Sequence, residues 1–108
     1  MDRLTAETFR EIRNGPRALT EYAQDIADSM DAEGARQLDT LVARCFASFV
    51  LDRRWDDLGE FATSLLHSIR VFERAGEGAW EVGRQVAAGW EVLLRLSTAF
   101  LEMARDER

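Results

Sequence analysis

The sequence predicts an all-α domain, a five-helix bundle, on three observations. Apolar residues recur at steps of three and four through most of the chain, the spacing that gathers them on one helical face. The periodic segments are separated by helix caps and stops: Asn14-Gly15-Pro16, the 31–34 region and Gly76-Glu77-Gly78. No β-branched alternating run competes, so no strand is expected. At 108 residues the chain is one domain, 1–108, long enough to bury over half its unfolded surface without metal or disulfide.

The first helix is expected at about 6–13. Thr5 can cap it, and Leu4 and Phe9 stand at the two positions of a hydrophobic staple. Asn14-Gly15-Pro16 ends it, with Pro16 opening a second helix that runs to about Met30 and carries Leu19, Ala23, Ile26 and Met30 on one face. Asp31 or the Gly34 region breaks the chain. A third helix, about 35–51, buries Leu38, Leu41, Val42, Cys45, Phe46 and Phe49. Asp52 is placed to cap a fourth, about 53–74, with Asp56 and Asp57 where the helix dipole favours acid. Its apolar positions are Trp55, Leu58, Ala62, Leu65, Ile69 and Phe72. The connection between the third and fourth helices is so short that they should form a central antiparallel hairpin. The last helix is the longest, about 79–105.

Within the fourth helix, LDRRWDDLGEFATSLL resembles the second half of a tetratricopeptide repeat at Trp55 and the two acids after it. Leu58 and Leu65 stand where that repeat wants small residues, and no second copy recurs at its period, so no family is assigned.

Composition narrows the function. No apolar run approaches the ~20 residues of a membrane span, and the N-terminus is too polar for a signal peptide. Cys45, the single cysteine, allows no internal disulfide and fits a reducing compartment, so a cytoplasmic location is expected. Residues 18–60 carry ten acids against four Arg, and nowhere does a basic stripe form, so direct nucleic-acid binding is not expected. All fourteen basic residues are Arg, and with fifteen Ala this points to a GC-rich genome.

Catalytic and metal chemistry are likewise not expected. His67, the only histidine, projects opposite the apolar face of its helix among Glu60, Thr63, Arg70 and Arg74. One Cys and one His do not make a zinc site, no Glu-x-x-His pair suggests a di-iron bundle, and DIADSMDAEG fails the calcium-loop pattern at Met30 and Ala32. No phosphate loop or nucleophile elbow is present, so neither an enzyme nor a cofactor is expected.

The last helix carries the interaction reading. At 100° per residue, Glu77, Arg84, Glu91, Arg95, Glu102 and Arg105 fall within about 80° of arc. Val82, Val86, Gly89, Leu93, Leu96, Phe100 and Met103 make an apolar seam elsewhere on the helix, and a second seam through Gly83 and Trp90 lies beside it. Apolar residues thus cover about half the circumference, more than one neighbouring helix buries. Gly83 and Gly89 each cost about 1 kcal/mol relative to Ala, so each should permit a close approach or a bend. That approach is expected from large hairpin side chains such as Trp55, Phe49 or Phe46, or from a partner. Trp90 is expected in the core. Trp80 projects to the edge of the charged stripe, either folded over the 76–78 loop or exposed as an aromatic anchor.

The 27 residues at 79–105 would span ~40 Å, longer than the ~34 Å of a compact domain. An elongated bundle, a bend near Gly89, or a homodimer would each resolve the mismatch. The expected function is a non-catalytic protein–protein interaction module, self-associating as a dimer through the C-terminal helix. The candidate interface residues are Trp80, Gly83, Arg84, Ala87, Trp90, Leu94 and Leu101. The alternatives are a ligand-sensing bundle with an apolar pocket at Gly83, Gly89 and Trp90, or a small helical subunit of a larger complex.

Overall fold

The computed structural model describes residues 4–107. Five helices form: α1 (Ala6–Asn14), α2 (Ala18–Asp28), α3 (Ala32–Leu51), α4 (Trp55–Arg74) and α5 (Glu81–Asp106), with a 3-10 turn at Ala75–Gly78 before the last. No strand occurs among the described residues.

Helix ends follow local chemistry. Thr5 precedes α1, and its backbone N–H donates to Thr8 Oγ1 at 3.2 Å. Asp31 caps α3 by accepting from the Gly34 N–H at 2.9 Å. Gly34 is therefore inside the helix rather than a break, and a Cβ there would lie 2.5 Å from the capping carboxylate. α2 and α3 end alike: Asp31 N–H donates to Ile26 O and Met30 N–H to Ala27 O, while Arg54 N–H donates to Phe49 O and Arg53 N–H to Val50 O. These are two Schellman closures, with Met30 (φ 47°) and Arg53 (φ 54°) at the left-handed position where glycine is usual. Asp52 consequently does not cap α4. It stands at the C-terminal end of α3 and pairs with Arg13 at 2.7 Å, while Arg54 precedes α4 and bonds Asp57 at 2.6 Å.

Contacts along the chain fix the topology. Thr20 of α2 lies beside Ser64 of α4, Asp39 of α3 beside Trp90 of α5, and Phe46 of α3 beside Phe100 of α5. Arg13 of α1 reaches Ser48 of α3. Successive helices thus alternate in direction, with α1, α3 and α5 forming one layer and α2 and α4 the other. α3 and α4 pack against each other as the expected hairpin, Phe49 and Phe61 edge to face at 5.6 Å, and α4 packs still more extensively on α5 and α2. The shared core holds Ile12, Leu19, Leu38, Phe49, Leu58, Phe61, Leu65, Phe72 and Trp90, all fully buried.

The domain measures 44 × 27 × 16 Å, and its radius of gyration of 13.5 Å is close to the ~13 Å expected for this length. It is a flat, elongated bundle. α5 runs without interruption through Gly83 and Gly89, and the 44 Å long axis of the bundle accommodates its length.

Candidate interaction surface

α5 sits at the edge of its layer, with α4 beneath it and α3 at its side. Its buried residues are mostly small: Gly83, Val86, Ala87, Trp90, Ser97 and Ala104. Small side chains let two neighbouring helices approach closely, and the single large one, Trp90, fills the space between them. Trp90 is fully buried, stacked on Phe72 at 4.8 Å, and its Nε1–H donates to Asp39 Oδ1 at 2.8 Å. Burial pushes the Asp39 carboxyl above the usual carboxylate range, while the bond from Trp90 pulls it back.

Trp80 corrects the alternative that made it an exposed anchor. It is 7% exposed, edge to face with Phe72 at 5.1 Å, and its ring covers Gly83, where a Cβ would come 2.3 Å from Trp80 Cε3. The physical reason is its place just outside the helix, at φ −91° and ψ 92°. The 100° rule applies to helical residues, and an extended N-cap residue does not follow it. Gly83 therefore admits Trp80 of its own segment, not a large hairpin side chain.

The other candidates divide. Gly83, Ala87 and Trp90 are core residues with Trp80, so these four present no surface to a partner. Leu94 and Leu101 are half-buried, Leu94 beside Leu66 and Ile69 of α4. Arg84 is exposed, and its Nη1 donates to Gly78 O at 2.6 Å. Of the residues named for an apolar pocket, Gly83 is covered by the indole of Trp80 and Trp90 is fully buried, while Gly89 is exposed elsewhere on the helix, so the three do not line one cavity.

The unpartnered apolar surface lies nearly half a turn around the helix from these buried residues. Val92 (47% exposed), Leu96 (44%) and Met103 (58%) align on α5 with exposed Gly89 and Ala99. A Cβ added at Gly89 meets nothing within 4 Å, so the fold of one chain gives this glycine no packing role. Half-buried Phe46 and Phe100, edge to face at 6.0 Å, join the stripe to the outer side of α3, where Ala43, Ala47 and Leu51 are exposed. At the far end a notch of about 210 Å³ opens among Val50, Trp55, Phe100 and Met103. The sequence held a signal for this: Gly89, Leu96 and Met103 already belong to the apolar seam, whereas Gly83 and Trp90 belong to the second seam, which the structure buries.

Groups that could do chemistry are dispersed. His67 is exposed on α4. Cys45 is buried, its thiol donates to Phe9 O at 3.9 Å, and burial pushes its pKa up to about 11. Among the described residues no three His, Cys, Asp or Glu side chains come together as a metal site, and every buried side-chain N or O atom has a hydrogen-bond partner. No described helix is long and apolar enough to cross a membrane. No family model, curated protein or solved structure matches this chain.

Proposed function

We propose that this chain is a non-catalytic protein-interaction module that self-associates through the outer face of its C-terminal helix. The observation that carries this reading is the line of exposed Val92, Leu96 and Met103 on α5. Scattered surface apolar residues are ordinary, but an aligned set on one helix, bordered by charged residues, has the make-up of an interface core with its rim. Gly89 adds support, because an exposed glycine inside a helix costs about 1 kcal/mol and earns no packing within one chain. A lone, buried cysteine fits a reducing compartment such as the cytoplasm.

The test is molar mass by light scattering over a hundredfold dilution, for the natural chain and for Leu96→Glu. Leu96 is exposed, so the charge should leave the fold intact by circular dichroism while abolishing association. A natural chain that stays monomeric throughout would refute self-association. An unchanged dimer in Leu96→Glu would move the interface elsewhere.

A further inference from the structure

Resting on that reading, we infer that the occupant of the α5 face is a second copy of this chain, set antiparallel about a twofold axis level with Leu93. The charges on α5 carry the inference. From Glu81 to Arg105 the helix holds six charged residues, Glu81, Arg84, Glu91, Arg95, Glu102 and Arg105, all exposed. Reflected about position 93, Glu91 falls on Arg95, Arg84 on Glu102, and Glu81 on Arg105. Each of these acids meets a base and no like pair arises; Asp106, the last residue of α5, falls level with Trp80, just outside the mate's helix.

The placement agrees with that pattern. At 100° per residue these charges centre about 100° around the helix from the Val92–Met103 line, on the side away from α3. A twofold antiparallel pair sets that flank against the same flank of its mate, as rim positions do in paired helices. Glu91 and Arg95 lie closest to the axis, and Arg105 lies farthest around the helix. A parallel twofold pair would instead set this charged flank against the opposite flank of its mate, on the α3 side, and these charges would not face one another. Among the described residues Glu91, Arg95 and Glu102 form no ion pair within one chain, and Arg84 keeps free guanidinium donors beyond its bond to Gly78. The same register brings Leu96 of the second copy to the level of Trp90, one residue from Gly89, whose missing side chain leaves the space a leucine needs.

Cysteine cross-linking and charge exchange test the arrangement. Val92 lies one residue from the axis, so two copies of Val92→Cys sit about 3 Å apart along the helix and should form an interchain disulfide. Met103 lies ten residues away, so Met103→Cys should not link to itself, its mate being ~30 Å distant along the axis. Buried Cys45 does not compete. Glu91→Arg alone should weaken the dimer about tenfold by placing arginines together twice, and adding Arg95→Glu should restore it. A dimer in which Met103→Cys also self-links, or in which the exchange restores nothing, overturns the antiparallel register and leaves self-association standing. A chain that is monomeric at every concentration overturns both.

Discussion

Two glycines in one helix make opposite predictions because their surroundings differ. At Gly83 a methyl group would enter the Trp80 ring and push it off Phe72, while the gain in helix propensity is only about 1 kcal/mol. Gly83→Ala should therefore destabilise by roughly 2 kcal/mol net in urea unfolding, the ordinary range for overpacking. Gly89→Ala meets nothing and should raise the stability of the monomer by up to about 1 kcal/mol, yet weaken self-association if Leu96 of a mate occupies that space. Asp39 supplies a pH-dependent prediction. Its native pKa is raised by burial, so its contribution to stability is full below the ordinary carboxylate range and is lost as pH rises through the raised native value. Asp39→Asn keeps an oxygen to accept from Trp90 Nε1 and should remove this slope from stability measured across mildly acidic pH. Trp80 shows where residue-level reading has its limit. Whether a residue is the last of a turn or the first of a helix changes its direction entirely, and boundaries are the weakest part of a periodicity argument.

At the scale of elements, all five helices were legible because their apolar residues recur at helical spacing and Pro16, Asp31 and the Gly76–Gly78 turn punctuate them. The end of α3 at Leu51 was legible too, but the end of α2 and the way both helices close were not. Both close by the same pair of backbone bonds around a left-handed residue, but that residue is Met30 in one and Arg53 in the other, so no glycine announces the cap. Asp52, a favourable capping type, drew the start of α4 two residues early; the Schellman closure takes 52–54 for the end of α3 instead. The strain left at such a cap is testable. A left-handed conformation costs a side-chain-bearing residue about 1–2 kcal/mol more than glycine, partly offset by glycine's freedom when unfolded. Arg53→Gly should thus raise the unfolding free energy by a few tenths to about 1 kcal/mol, read as a higher urea midpoint at unchanged slope. A fall in the midpoint would mean that Arg53 makes side-chain contacts outweighing the strain.

At the scale of the molecule, layer geometry decides which apolar residues are hidden. α5 lies at a layer edge with neighbours on only two sides, and its apolar arc is wider than those two neighbours cover. The width of the arc was readable in the sequence, but its division into core and surface depends on where α3 and α4 stand, which periodicity in α5 alone does not contain. The same geometry fixes the shape of the proposed assembly. Leu93 is near the midpoint of α5, and α5 spans ~39 Å of the 44 Å long axis, so an antiparallel pair about Leu93 overlaps along nearly its full length. Two-layer slabs meeting face to face, with helix axes about 10 Å apart at the contact, have centres about 20 Å apart; with 13.5 Å for each copy, the dimer's radius of gyration should be about 17 Å. An end-to-end dimer, with centres separated by the 44 Å long axis, would give about 26 Å. Small-angle scattering separates these values readily. About 17 Å, together with loss of the dimer in Leu96→Glu, would put the contact on the broad α3–α5 face, whereas a value near 26 Å would place it at the ends of the bundle and leave the Val92–Met103 line facing solvent.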